Sequence, residues 1–594
     1  MSNENEIEES KPQGVNRRQF MMTAALGAGA VALTSTLSAS EAKPAVASAS
    51  SAKRFASAHA SSAAWSFGVL ADTQWITKDD GADPNSVAVD IVNQINRQFI
   101  QHKVKLVVQV GDLCDKGTTA GLLTRALYAQ PLYDAGIGFY PLRGNHESKQ
   151  ENAQDFVRIW PQTQSGTHNT SPAGVFNVAG LDDRAPAATG SPFNLGKILG
   201  SPDPDGTGNL KGLSYALDYN NARFVLLDQF VPLDGGTASS PYSIDKSIGK
   251  QQSWIGSQLS SRPVGTHAFV FGHKGLITQN HVDTLFGEDP TENSPQQDAF
   301  IKSLADNNAR YYIHGHDHMH DRSIVTTSDG ASGKVMQLLC SSDSSKFYIP
   351  SIPSNDNLYD EPAAPGGFGR LRQTPISQEL NTVGFYIFTV DGPRVSVDFY
   401  SADVYPALRR NEYVLSTTPT LNFLKRETFG YSLNGREFLV APGQPYTSIE
   451  DKAPAGTTAK VLSGINGRAE IDGSNRICHN AVNTGWASST KHTASEVLTL
   501  SGMAKNMGSD RTDVYTLSMS YSPAAAVGAS LKTGAFALAT MSAHGVWVKA
   551  ANERFVSGPW SAKYGLGTYG VDEKTNTAWA VINFNGSFAV VSNL

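Results

Sequence analysis

From residue 65 onward the chain alternates short apolar runs with stretches whose apolar residues recur every three or four positions. Residues 65–71 form an apolar run that stops at Asp72. Helical spacing fills 87–102, a second apolar run covers 104–110 and ends at Gly111-Asp112, and 120–134 is helical again. A third apolar run, 137–142, ends at Arg143-Gly144-Asn145-His146. Strand, helix, strand, helix, strand at this pitch predicts an α/β domain with a buried sheet. Each strand delivers polar residues at its carboxyl end, the edge where such sheets bind ligands.

Residues 150–250 carry Trp160-Pro161, Pro202, Pro204 and many Gly, Ser and Asn residues, and read as a long loop-rich insertion. Strands resume at 213–219 and 223–228, a helix follows at 251–260, and a buried strand at 267–271 ends at Gly272-His273. A helix at 296–307 leads into a strand at 311–313 that ends in His314-Gly315-His316-Asp317-His318. Further strands fall at 335–339, 384–390 and 395–400, with a Pro/Gly/Ser-rich loop over 341–379. Beyond about residue 410 the helical pattern fades. Short β-rich runs at 459–462, 514–519, 536–541, 545–548 and 579–584 predict an all-β, sandwich-like domain. Asn585-Gly586 after the last of them predicts a two-residue hairpin to 587–591.

Length and charge narrow the picture. At 594 residues the chain exceeds one ordinary core, so two or more domains are expected. Lys and Arg number 48 against 54 Asp and Glu, a net charge of −6 that argues against nucleic-acid binding. Three cysteines exclude a disulfide scaffold, and Cys340 and Cys478 fall in different predicted domains. Asn16-Arg17-Arg18-Gln19-Phe20-Met21 precedes a weakly apolar, Ala/Gly-rich run over 20–37 with small residues after it. This pattern resembles a twin-arginine export signal cleaved near residue 42. It implies the twin-arginine translocase as a partner and a periplasmic or secreted protein, with no membrane span in the mature chain. The expected division is a signal at 1–42, an Ala/Ser-rich linker at 43–64, a catalytic domain at 65–410 and a β-rich domain at 411–594.

Five segments carry the chemistry: Asp72-Thr73-Gln74, Gly111-Asp112-Leu113-Cys114-Asp115, Gly144-Asn145-His146-Glu147, Gly272-His273 and Gly315-His316-Asp317-His318. Each follows a predicted strand. Carboxylates and amides suit hard cations, whereas imidazole suits Zn, Mn and Fe. The mixture suits a two-metal site for phosphate chemistry. Glycine before four of the groups lets the backbone turn sharply and leaves room for metal and substrate.

In this order the residues resemble the calcineurin-like metallophosphoesterase superfamily, over about residues 65–402. The resemblance implies an α/β fold, a two-sheet αββα sandwich, here followed by the all-β domain. It implies two divalent ions bridged by Asp112. Asp72 and His318 would bind the first, with Gln74 beside them, and Asn145, His273 and His316 the second. His146 would donate a proton near the leaving oxygen, and Asp115 would hydrogen-bond His146 and fix its tautomer. A water or hydroxide between the metals would attack phosphorus in line.

Two positions depart from the family pattern. Gln74 stands where most of the family has His, and an amide is better tolerated by Mn or Mg than by Zn or Fe. Manganese is therefore the expected metal, with Fe, Zn, Mg or Ca as alternatives. The Asp-x-Gln pattern also resembles a subset that includes manganese-dependent ADP-ribose/CDP-alcohol pyrophosphatases and some phosphoprotein phosphatases. Lys116 stands where some protein phosphatases carry Arg, and a point charge cannot reproduce that two-pronged grip. Lys116 and Arg143 are the candidate substrate-binding residues, with a structural ion pair as the competing reading for Arg143. His102, His168, His281, His314 and His320 hold no motif position and read as surface or satisfied histidines. Asp79, Asp80 and Asp83 read as a solvated turn, and Cys114 as a buried, inert thiol.

The expected function is an exported metal-dependent phosphoesterase acting on a phosphorylated small molecule or nucleotide-like substrate. The rival expectation is a degenerate phosphoesterase domain whose β domain binds a surface or glycan. The β domain has no cluster of His, Asp and Glu, so no catalytic residue is expected there.

Overall fold

The apolar runs become the strands of two facing sheets. The structure is a computed structural model that describes residues 64–74, 87–165, 196–231, 247–281, 283–287, 290–349, 372–409, 412–468, 479–505, 511–542, 544–592 and 594. The export segment, Asp79, Asp80, Asp83, His168 and Cys478 lie outside the described residues.

Among the described residues, seventeen strands build the first part: β1 (Trp65–Leu70), β2 (Leu106–Val110), β3 (Gly138–Leu142), β4 (Lys197–Gly200), β5 (Tyr215–Tyr219), β6 (Ala222–Leu226), β7 (His267–Phe271), β8 (Tyr311–His314), β9 (His320–Thr326), β10 (Lys334–Leu339), β11 (Lys346–Phe347), β12 (Gln373–Glu379), β13 (Thr382–Asp391), β14 (Arg394–Asp403), β15 (Ala407–Arg409), β16 (Glu412–Val414) and β17 (Leu424–Ser432). The first sheet runs β17-β14-β13-β1-β2-β3 and the second β12-β9-β10-β8-β7-β6-β5-β4. In the first, β1, β2 and β3 are parallel and β13, β14 and β17 complete an antiparallel wing. In the second, β6, β7, β8 and β10 are parallel. The strands β11, β15 and β16 make a small separate sheet.

Apolar residues of both sheets face one another in a shared core. Phe67 of β1 lies in it, with ring centroids 4.7 Å from Phe388, 4.9 Å from Phe269 and 5.0 Å from Phe224. Pairs of this kind add about 0.5–1.5 kcal/mol each beyond their buried area. The outer face of the first sheet packs on helix α1 (Val87–Gln101) and helix α2 (Thr119–Leu127). Ala88, Ile91, Val92, Ile95 and Phe99 form the buried stripe of α1, spaced as one helix face requires. Gly68 admits this helix: a Cβ there would lie 2.4 Å from the Phe99 ring. The second sheet packs outward on helix α3 (Ser247–Ser260) and helix α4 (Pro290–Asp306). The layers are therefore helix, sheet, sheet, helix, as expected.

The C-terminal part holds two further six-stranded sheets around one core. All described pairings are antiparallel except Arg554–Ser557 with Thr568–Asp572. Trp486, Leu498, Leu538 and Phe588 of one sheet meet Val461, Tyr515, Leu517 and Ile582 of the other. The hairpin expected at Asn585-Gly586 is not formed. Strand Thr577–Phe584 pairs with Arg511–Ser520 and Thr568–Asp572, whereas Gly586–Val591 pairs with Val497–Ser501 and Ala537–Met541 in the opposite sheet. Neither Asn585 nor Gly586 has the positive φ that the tight turn requires, and Asn585 Oδ1 instead accepts from Met503 N at 3.2 Å. The chain crosses between layers at this point.

Among the described residues no helix is long and apolar enough to cross a membrane. One buried histidine ties the first two sheets together. His267 of β7 meets the Tyr431 hydroxyl of β17 through Nδ1 at 3.0 Å and the Gly392 carbonyl through Nε2 at 2.8 Å. Burial pushes its pKa from 6.5 down to about 4. Between those values the unfolded chain binds more protons, so stability is present above pH 6.5 and is lost as pH falls toward 4. The full shift corresponds to about 3 kcal/mol. We expect His267→Gln to flatten the dependence of urea-unfolding free energy on pH in this window. An unchanged slope would assign the acid sensitivity to other groups.

Candidate metal centre

The carboxyl ends of β1, β2, β3, β7 and β8 converge, one set from each sheet. Asp72 follows β1, Asp112 follows β2, Asn145 and His146 follow β3, His273 follows β7, and His316 and His318 follow β8. The turns are tight. Asp72, Asp112, His316 and His318 all have positive φ, at 50°, 46°, 82° and 53°. That conformation costs a non-glycine residue about 1–2 kcal/mol, and here it aims four side chains at one point. Glycines clear the space. A Cβ on Gly144 would lie 2.0 Å from Asp112 Oδ1, one on Gly315 2.4 Å from Asp72 Oδ2, and one on Gly111 2.3 Å from His273 Nδ1.

Two groups of ligand atoms result, Asp112 with His273 and His316, and Asp72 with Asp112 and His318. Within each group the atoms lie within 4.8 Å of one another. Asp112 belongs to both. His273 Nδ1 faces the Val110 carbonyl at 3.0 Å, a bond that makes Nδ1 the donor and points the Nε2 lone pair inward. That lone pair lies 2.9 Å from Asn145 Oδ1 and 3.2 Å from Asp112 Oδ1. Three acceptors facing one another fit a cation. His318 Nδ1 likewise faces the Lys346 carbonyl at 2.9 Å, which leaves Nε2 for the centre. His316 Nε2 is held by Asp283 Oδ1 at 3.2 Å, which frees Nδ1.

The electrostatics agree with this donor set. Burial, aided by the charge of Asp112, pushes Asp72 well above the usual carboxylate range. Burial would raise Asp112 too, but His273 and His146 carry it well below. Burial brings His316 and His318 down to about 3, so both rings are neutral and ligand-ready. A buried carboxylate that resists ionisation beside neutral imidazoles is relieved by a divalent cation.

His146 stands at the mouth, with its side chain 27 % exposed and its Nε2 3.8 Å from Asp112 Oδ2. Burial would lower its pKa, but the Asp112 charge and the Asp115 carbonyl outweigh that and raise it. The partner of His146 Nδ1 is the main-chain carbonyl of Asp115. The Asp115 carboxylate lies 4.0 Å away and pairs with Lys346. The expected tautomer control thus comes from the backbone of Asp115, and its side chain anchors a lysine. Gln74 points its Nε2 at Asp112 Oδ2 and His318 Nε2, at 3.0 and 2.9 Å. Arg143 is fully buried in a two-pronged pair with Asp228, at 2.6 and 3.1 Å, and also donates to the Glu147 carbonyl at 3.2 Å. The competing structural reading describes its position. Lys116 is exposed.

Several residues around the centre were given no role in it by the sequence reading. Glu147 is fully buried and accepts from Cys114 N and Gly144 N at 3.0 and 2.9 Å, bracing the Asp112 and Asn145 loops. Burial and Asp112 push its carboxyl up to about 7. Asp283 pairs with Lys274 and His316. His281, expected to be an unremarked histidine, stacks on His316 at 4.1 Å and binds Asp317 through Nδ1 at 2.7 Å. Lys346 and Tyr348 reach in from the segment after β10, and the Tyr348 ring lies 4.8 Å from His318 and 5.0 Å from His281. Only the Gly144-Asn145-His146-Glu147 run contained one of these residues within a recognisable motif.

Residues 66–320 match the family model for the calcineurin-like phosphoesterase. Comparison with curated proteins gave no match. Among solved structures the chain is similar to purple acid phosphatase PPD1 from seeds of yellow lupin (Lupinus luteus), with 12 % identity, 57 % of this chain and 51 % of that chain covered, and a TM-score of 0.31. It is similar to a dimetal phosphatase of Danio rerio, with 16 % identity, 56 % and 95 % covered and a TM-score of 0.29. It is also similar to GAP50, the anchor in the inner membrane complex of Plasmodium, with 14 % identity, 60 % and 91 % covered and a TM-score of 0.30. The chain spans about half the length of the lupin protein.

Two outcomes follow from the geometry. Gly144→Ala drives a methyl group into Asp112, so metal affinity is expected to fall about 10–100-fold while far-UV circular dichroism is retained. Unchanged affinity would mean that the two loops part easily. Asp228→Ala leaves the Arg143 guanidinium buried without its carboxylate, and is expected to cost about 3–5 kcal/mol in denaturant unfolding. A loss under about 1 kcal/mol would place Arg143 in solvent contact.

Proposed function

We propose that this metallophosphoesterase is a dinuclear, exported enzyme that hydrolyses an ester or pyrophosphate bond of a phosphorylated small molecule or nucleotide-like substrate. A calcineurin-like phosphoesterase domain occupies residues 66–320. The observation that carries the dinuclear reading is the Asp112 carboxylate, shared by two buried Asp/His clusters. Two divalent ions held by Asp72, Asp112, Asn145, His273, His316 and His318 would supply Lewis acidity toward the phosphoryl oxygens and acidify water. Manganese is the preferred ion, because carboxylate and amide oxygens make up half of that ligand set.

The protein's own groups do the rest. The raised pKa of His146 favours its protonated form, and its Nε2 stands at the solvent edge, where a leaving oxygen needs a proton. The Asp115 carbonyl holds the ring through Nδ1 and sets its direction. Buried Phe230 borders His273 and half-buried Tyr348 borders His318, and both limit water around the reacting group. Export by the twin-arginine translocase to the periplasm or beyond is the reading of Arg17-Arg18 and the run after them.

The test is a panel of phosphate monoesters, diesters and nucleoside diphosphate compounds, each assayed with Mn, Mg, Zn, Fe and Ca. Asp112→Asn is expected to abolish turnover with every ion. His146→Gln is expected to lose about 10²–10⁴-fold on alkyl esters and much less on aryl esters, whose leaving groups need no proton. Full turnover in Asp112→Asn would overturn the proposal.

A further inference from the structure

Lys346 enters the centre from beyond the segment that the family model matches. It sits in β11, held by antiparallel pairing with Val414. Its carbonyl accepts from His318 Nδ1 at 2.9 Å and from Ser342 Oγ at 2.7 Å, and its amide donates to Ser344 Oγ at 3.0 Å. The side chain is 12 % exposed, with Nζ 3.2 Å from Gln74 Oε1 and paired with the Asp115 carboxylate.

We propose that Lys346 is a positioning residue that turns the Gln74 oxygen away from the centre and so makes the two metal positions unequal. The proposal rests on the dinuclear reading above. An ammonium group carries donors and no acceptor, so the end of the amide that faces it must be oxygen. The other end is then the NH₂ group, which lies 3.0 Å from Asp112 Oδ2 and 2.9 Å from His318 Nε2. Those atoms belong to two of the three residues that define the first position. An NH₂ group is a donor and cannot ligate a cation. Reversing the amide would set its NH₂ against the ammonium, donor against donor.

Among the described residues the first position therefore rests on Asp72, Asp112 and His318, with the Asp115-paired Lys346 ammonium nearby. The second position has Asp112, His273, His316 and the inward oxygen of Asn145. A missing ligand and a neighbouring charge both weaken the first ion relative to the second. The second position fills first, and the first is taken up at higher metal concentration.

The experiment is calorimetric titration of metal-stripped full-length protein with Mn²⁺, with bound metal counted by elemental analysis. The wild type is expected to show one tight equivalent and a second at least about tenfold weaker. Lys346→Met frees the amide and removes the charge, and is expected to strengthen the weak class about tenfold while the tight class stays in place. Gln74→Leu removes a group that does not ligate, so the weak class is expected to remain where the wild type has it. Two equal classes in the wild type overturn the inference and leave the dinuclear reading intact. A weak class that falls about tenfold or more in Gln74→Leu makes Gln74 a ligand and also overturns it. Should Lys346→Met fail to fold, Gln74→Leu decides by itself. No bound metal in the wild type overturns the dinuclear reading and the inference together.

Discussion

The centre depends on holding one carboxylate, Asp112, between two groups of ligands where water is largely excluded. Asp112 lies within reach of His273 and His146, and its neighbour Asp72 is pushed toward the protonated form by burial. Such an arrangement collapses unless the surrounding chain is rigid, because buried charges otherwise find solvent or separate. Rigidity comes from the parallel strands that end directly beneath the ligands. Glu147 adds to it by tying the loop after β2 to the loop after β3 through two backbone amides.

The same requirement explains the backbone. Four ligand-bearing residues adopt the left-handed conformation, each at a strand end. Strain of this kind persists only where neighbouring structure over-determines it. The cluster of Phe67, Phe224, Phe269 and Phe388 beneath the strand ends, and the close approach of α1 over Gly68, provide that support. Gly111, Gly144 and Gly315 are the counterpart: they leave the volume that side chains of neighbouring loops occupy.

Around the ligands lies a ring of oriented partners. Asp283 holds His316, and Asp317 holds the His281 ring that stacks on it. The Val110 carbonyl holds His273, and the Lys346 carbonyl holds His318. Each fixes which ring nitrogen faces inward, and ligand basicity depends on that choice. Most of these partners are either main-chain carbonyls, which have no sequence signature, or carboxylates remote in sequence from the histidine they serve.

The sequence by itself determined the layered fold and named the candidate ligands. Its apolar runs ended in Asp72, Asp112, Asn145, His273 and His316, and a buried strand must end where polar residues begin. It also marked the C-terminal region as β-rich, because short alternating runs have no helical reading. Tertiary structure decided what lies between distant segments. It sent the chain across two sheets at Asn585-Gly586, since each flanking strand finds its partners in a different layer. It committed Arg143 to Asp228, 85 positions away, and gave the Asp115 carboxylate to Lys346 rather than His146. It brought His281, Asp283 and Lys346 to the centre, although none follows a strand in a readable motif. Periodicity and strand-end chemistry are local, whereas the pairing of buried charges is settled only when both sheets close on one another.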